Sequence, residues 1–146
     1  MSTKLLDTTF LIHHWAGRQS VAAYLEAQPD ETEYVTTTIN LEELAVGRKL
    51  VDAFDPVEIR SQFEWVRVIP IDQEIAWETA ELESRLFRSE TVNRDRINAL
   101  AADAIIAGAA LALDATVVSN DVHDFRELGV PVEAYENPSA GDDDNS

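Results

Sequence analysis

Asp7 interrupts an apolar run. Leu5-Leu6 precedes it, Thr8 and Thr9 follow, and Phe10-Leu11-Ile12 resumes. A carboxylate closing a buried N-terminal strand is a poor choice for stability, because burying an unpaired charge is costly, and a sensible one for chemistry. Asp103 sits in a comparable setting, Leu100-Ala101-Ala102-Asp103-Ala104-Ile105-Ile106, a helical segment apolar around most of its circumference. Asp121 follows the apolar Val117-Val118-Ser119, and Glu43 lies early in a helical stripe. Four carboxylates at one place repel one another unless a cation lies between them. An all-oxygen set without histidine or cysteine is what Mg²⁺ or Mn²⁺ prefers, and one or two such ions can activate water for phosphodiester cleavage.

Each carboxylate also has an ordinary explanation. Asp103 can be a solvent-facing residue near a helix start, favoured by the macrodipole. Glu43 stands three residues after Asn40, the spacing of a capping box. Asp121 can be only a helix N-cap, and Asp124 only a first-turn charge. Thr8 and Ser119 suit the orientation of water at a metal, or plain capping and strand-end roles. Of the histidines, adjacent His13 and His14 cannot face one way on a helix. His123 reads as a polar turn residue.

The site requires elements that bring these residues together. Residues 4–7 read as a buried strand, followed by a helix through Trp15 that Thr8 or Thr9 caps. Further helices are expected over 20–27, from Asn40 past Leu50, over 56–65, from Asp72 to about Arg88, over 98–113 and over 121–128. Strands are expected over 34–37, 66–71, 115–119 and 130–134, with 89–96 a polar loop. Strands alternating with helices imply an α/β fold, a three-layer α/β/α sandwich around a mostly parallel sheet of about five strands. Ligand sites in such sheets lie beyond the carboxyl ends of the strands, where Asp7 and Asp121 both fall.

The 146 residues are expected to form one domain, residues 1–136, followed by an acidic disordered tail, 137–146, that includes Asp142-Asp143-Asp144. The chain lacks cysteine, which excludes disulfides, thiolate metal sites and a cysteine nucleophile. It opens directly into the first strand with no signal peptide, and its longest apolar stretch is too short for a bilayer, so a cytoplasmic location and no membrane partner are expected. The net charge of −17 sets 11 basic residues, only two of them lysine, against 28 acidic ones. That balance opposes binding to nucleic acid, unless the chain works in concentrated salt; acidic, lysine-poor surfaces resemble those of halophilic proteins. Arg85, Arg88, Arg94 and Arg96 cluster just before the Asp103 helix. They can hold phosphate near the metal edge, or pair with Glu81, Glu83, Glu90 and Asp95.

The ordered set Leu6-Asp7-Thr8-Thr9, Glu43-Leu44-Ala45-Val46-Gly47, Asp103-Ala104-Ile105-Ile106-Ala107-Gly108-Ala109 and Val118-Ser119-Asn120-Asp121-Val122-His123-Asp124-Phe125 resembles the PIN-domain ribonucleases, specifically the VapC toxins of type II toxin–antitoxin pairs. The resemblance covers about residues 3–135. It implies a dimeric PIN-like sandwich, metal-dependent endoribonuclease activity, often on tRNA or ribosomal RNA, and silencing by a VapB-like antitoxin. It implies Asp7, Glu43, Asp103 and Asp121 as the Mg²⁺ or Mn²⁺ ligands, with Thr8 supporting. It prefers Glu43 to Glu42 and gives Asp124 a less defined place. Many relatives carry a glycine and a further polar residue just before the third aspartate, where this chain has Leu100-Ala101-Ala102. A haloacid dehalogenase would need a second aspartate at Thr9. A receiver domain would need a late lysine, and none follows Lys49. A housekeeping PIN nuclease, or a degenerate PIN domain that only binds, remains as the alternative.

Overall fold

The computed structural model describes residues 2–136, so the expected tail lies outside the described residues. Its strands are β1 (Thr3–Leu6), β2 (Glu33–Thr37), β3 (Arg67–Ile69), β4 (Thr116–Val118) and β5 (Val132–Glu133). The helices are α1 (Thr8–Trp15), α2 (Gln19–Glu26), α3 (Thr38–Leu50), α4 (Pro56–Gln62), α5 (Gln73–Arg88), α6 (Arg94–Ala99), α7 (Ala101–Leu113) and α8 (Val122–Glu127). The five strands form one sheet in the order β3-β2-β1-β4-β5, every neighbouring pair parallel.

Alternation along the strands divides the core in two, since successive side chains point to opposite faces. Leu5, Val35 and Val117 pack with Ile75, Leu82 and Leu86 of α5, Ile97 of α6, the alanine-rich face of α7 and Phe125 of α8. Leu6 and Val118 pack on the other face with Phe10, Leu11, Val21, Leu44, Ile59 and Phe63 from α1 to α4. The α/β/α sandwich follows. Strands covered on both faces carry apolar residues at consecutive positions, as Leu5-Leu6 and Val117-Val118 do.

Where α5 and α7 meet, Gly108 lies against Thr79, and a Cβ built on it would stand 2.1 Å from Thr79 Oγ1. That hydroxyl already donates to the Ile75 carbonyl at 2.8 Å, so it is fixed in place. The close approach sets how near α7 stands to α5.

Several boundaries differ from the sequence reading. The segment 89–96 is not all loop: Asn93 accepts a hydrogen bond from the Arg96 amide and caps the short helix α6. The expected helix over 98–113 is divided at Leu100, whose backbone (φ −89°, ψ −1°) ends α6 and leads into α7. β3 is confined to three residues, which pair in register with Val35 to Thr37 of β2. Asn40 does not start α3. Thr37 is the N-cap, and the capping box joins Thr37 to Asn40 at the third helical position, which removes Glu43 from any capping role.

Candidate metal centre

In the register of β1 and β4, Leu6 lies opposite Val118. The next residues, Asp7 and Ser119, therefore leave the sheet side by side, and the Asp7 amide donates to the Val118 carbonyl at 3.3 Å. The chain turns from β1 toward β2 on one side of this point and reaches β4 on the other, so a crevice opens where the strand order reverses. It is a cleft of about 400 Å³ lined by Asp7, Thr8, Thr9, Asn40, Glu43, Asp103, Ser119, Asn120, Asp121 and Phe125.

Asp7 is held from two sides. Its Oδ1 accepts from the Phe10 amide at 2.9 Å, capping α1, and its carboxylate accepts the Ser119 hydroxyl. Burial nonetheless pushes its pKa above the ordinary carboxylate value. The two hydrogen bonds oppose that rise, and the charges of Asp121 and Glu43 add to it. Ser119 is fully buried and also accepts the Asp121 amide at 3.0 Å, so one hydroxyl links the ends of β1 and β4.

Asp103 stands in the first turn of α7, where the helix dipole favours negative charge. It is half-buried, and burial is the main cause that raises its pKa to about 6, followed by the charges of Asp121, Asp124, Asp7 and Glu43. Removal from water supplies most of that rise, and the neighbouring carboxylates add to it in a way that a bound cation would offset. Glu43 approaches from α3, and its Oε1 accepts the Thr8 hydroxyl at 2.6 Å.

Asp121 precedes α8 and makes no side-chain cap, which sets aside its N-cap role. Burial raises its pKa, and a hydrogen bond and charge from Asp124 raise it further. Asp124 behaves oppositely: the Arg96 guanidinium beside it holds its carboxyl below the ordinary value. Carboxylate oxygens of Asp103, Asp121 and Asp124 lie within 4.8 Å of one another. This all-oxygen donor set, in which Asp103 and Asp121 hold their protons more tightly than usual, fits a hard divalent cation held by a few carboxylates.

The four arginines do not line the cleft. Arg96 donates to Asp124 and, through Nη2 at 2.6 Å and Nε at 3.1 Å, to Glu127. Its partners are thus on α8, not the nearby acidic residues expected. Arg94 lies over the Phe87 ring at 5.7 Å, Arg85 borders a separate groove with Ser89 and Glu127, and Arg88 is exposed on the last turn of α5.

Two asparagines line the cleft: Asn40, read from the sequence only as a helix start, and Asn120, given no role there. Asn40 is buried and donates to Thr8 Oγ1 at 3.0 Å. Its signal was its place one helical turn before Glu43, on the same face of α3. Asn120 accepts the amides of Tyr135 and Glu136 and donates to the Glu136 carboxylate, fastening the segment after β5 to the end of β4. Of the histidines, His13 bonds Tyr135 Oη at 2.7 Å, His14 packs on Phe63 and Trp65, and His123 is exposed on α8.

The PIN domain family model matches residues 4–131, and the chain belongs to that family. Among solved structures, VapBC2 from Rickettsia felis bound to a DNA fragment from their promoter contains a chain similar in fold, at 19% identity and TM-score 0.72, over 92% of this chain and 99% of that one. VapBC-1 from nontypeable Haemophilus influenzae is similar at 18% identity and TM-score 0.74, over 91% and 98%. A toxin–antitoxin complex from Klebsiella pneumoniae is similar at 24% identity and TM-score 0.67, over 92% and 98%. No curated protein matches the chain.

Proposed function

We propose that the chain is a metal-dependent endoribonuclease, the toxin of a VapBC-type pair, with Mg²⁺ or Mn²⁺ as its cofactor and RNA as its substrate. The observation that carries this reading is the convergence of Asp7, Glu43, Asp103 and Asp121, from four separate elements, on one cleft at the sheet's switch point. Membership of the PIN family supports it. So does the recurrence of toxin–antitoxin complexes among the structures of similar fold.

In this reading Asp7, Glu43, Asp103 and Asp121 hold the ion, with Asp124, whose oxygens approach those of Asp103 and Asp121 within 4.8 Å, beside them. When bound, such an ion acidifies water and offsets charge developing on a phosphate. The protein's part is to fix the carboxylates: Ser119 and the Phe10 amide orient Asp7, the α7 dipole favours ionised Asp103, and Thr8 holds Glu43. Exposed Arg85, Arg88 and Arg94 are the proposed phosphate contacts, whereas Arg96 is committed to Asp124 and Glu127.

The proposed partners are a VapB-like antitoxin and a second copy of the chain. An apolar groove between α1 and α3, lined by Ile12, Trp15, Leu44 and Val51, is a surface for the antitoxin to cover. Among the described residues no helix is long and apolar enough to cross a membrane, and the cytoplasm is the proposed location, in a cell of high internal salt.

The test is cleavage of total RNA with Mg²⁺ or Mn²⁺, against chelator and against Asp7→Asn and Asp103→Asn. Metal-dependent cleavage lost in both variants is expected. Equal cleavage by wild type and variants would assign the activity to a contaminant and overturn the site. Co-expression with the protein of the adjacent gene is expected to suppress the activity.

A further inference from the structure

The hydrogen bonds at the start of α3 have only one possible direction. The Thr37 amide can only donate, and it lies 3.1 Å from one side-chain atom of Asn40. That atom must be the carbonyl oxygen, which settles the orientation of the Asn40 amide group. Thr37 Oγ1 accepts the Asn40 backbone amide at 3.3 Å and spends its single proton on the same Asn40 Oδ1 at 2.7 Å. The Asn40 NH₂ is therefore turned toward Thr8 and donates to Oγ1 at 3.0 Å. Having accepted there, Thr8 directs its own proton at Glu43 Oε1, 2.6 Å away. Every donor in the chain Thr37–Asn40–Thr8 points toward Glu43, which ends it as an acceptor.

Glu43 itself is exposed on α3, and an exposed glutamate otherwise samples many rotamers, with ordering entropy to be lost on any binding. Asn40, Thr37 and the end of β2 are buried, so the anchor of the chain is rigid where its terminus is not. From this we infer that Asn40 is a positioning residue: it fixes the direction of the Thr8 hydroxyl and thereby holds the Glu43 carboxylate at the cleft, ready for a divalent cation. The inference rests on the metal-site reading above. Groups behind a metal ligand that fix its orientation affect affinity by about 10- to 100-fold.

The sharpest variant is Asn40→Asp. It has the same shape and keeps an oxygen for the Thr37 amide and hydroxyl, so the cap of α3 survives, but it has no proton to give Thr8. Its added negative charge alone would tighten cation binding, so weaker binding isolates the lost orientation. Titration calorimetry with Mn²⁺ is expected to show about tenfold weaker binding for Asn40→Asp and for Thr8→Val. The double variant should lose no more than either single one, because both break one chain, and Thr8→Ser should retain wild-type affinity. Wild-type affinity in Asn40→Asp, or losses that multiply in the double variant, would overturn the proposal. A metal-free readout separates this from the metal site itself. In metal-free wild type the Glu43 side chain should hold one rotamer by NMR side-chain couplings, and in Asn40→Asp, whose second carboxylate oxygen accepts the Thr8 hydroxyl instead, it should average over several. If wild type binds no Mn²⁺, the metal site fails, and those couplings still decide the role of Asn40: a Glu43 rotamer equally fixed or equally averaged in both proteins overturns the role.

Discussion

Arg96 on α6 donates to Asp124 on α8, across 28 residues of sequence, and the same guanidinium reaches Glu127 one turn further along. The pair brings a positive charge near a cleft whose charged lining residues are all carboxylates. It also separates two neighbours in behaviour: Asp124 is held below its ordinary pKa by Arg96, while burial and Asp124 push Asp121 above its own.

Arg96→Met should therefore raise the titration midpoint of Asp124, since its main cause of depression is removed, and raise that of Asp121, which Arg96 also lowers. Carboxyl-detected NMR titration of metal-free protein measures both. An unmoved Asp124 would mean that the pair does not hold in solution.

The contact of α7 with α5 predicts opposite outcomes at two glycines. Gly108→Ala would place its Cβ 2.1 Å from Thr79 Oγ1 and 2.9 Å from the Thr79 backbone nitrogen, so the helices must part. A loss of about 1–3 kcal/mol is expected by denaturant unfolding. Gly47→Ala in α3 meets nothing within 4 Å, and should gain about 0.5–1 kcal/mol through helix propensity. A neutral Gly108→Ala would show the α5–α7 approach to be looser than described.

The sequence disclosed what depends on local pattern and missed what depends on distant partners. Apolar Leu5-Leu6 and Val117-Val118 marked central strands because both their faces are covered, and the parallel sheet followed. Asp7 showed itself by standing where such a strand ends. Asn40 was misplaced because Thr37 and Asn40 are both good capping residues three positions apart, and only the length of β2 decides which one caps. Arg96 was matched with acidic neighbours in sequence, whereas its partners arrive on α8, 28 and 31 residues away. α6 escaped notice because its single apolar anchor is Ile97, too little for a periodic pattern. No local signal told which of Glu42 and Glu43 faces Thr8; the direction of α3 settles that.

Asp103 links the site to stability through pH. Its folded pKa, about 6, stands above the ordinary 3.8, so between these values the folded state binds more protons than the unfolded one, and stability falls as pH rises through that window. Above it the ionised carboxylate is fully penalised. Metal-free Asp103→Asn should thus be more stable than metal-free wild type at neutral pH, by on the order of 1 kcal/mol after allowance for solvent screening. The difference should vanish near pH 4. Saturating Mn²⁺ should reverse the order by stabilising wild type. A metal-free Asp103→Asn that is much less stable would assign Asp103 a structural role instead.

Salt should stabilise this protein more than most. The chain carries a net charge of −17, and several of its few cations are already paired: Lys4 with Glu133, Arg18 with Glu136, Arg67 with Glu33 and Arg96 with Asp124. Salt weakens those pairs a little, the partly buried ones least, but it screens the much larger excess repulsion, as the Debye length shrinks from about 10 Å at 0.1 M to about 3 Å at 1 M. The thermal midpoint should rise by roughly 5 °C between 0.1 and 2 M KCl, a shift worth about 1–2 kcal/mol in a domain of this size. The same screening removes long-range repulsion between the acidic surface and RNA, so cleavage should also quicken with salt, where an ordinary basic RNA-binding protein loses affinity. A midpoint that falls or stays level in KCl, with cleavage fastest in dilute buffer, would exclude a chain adapted to a high-salt cell.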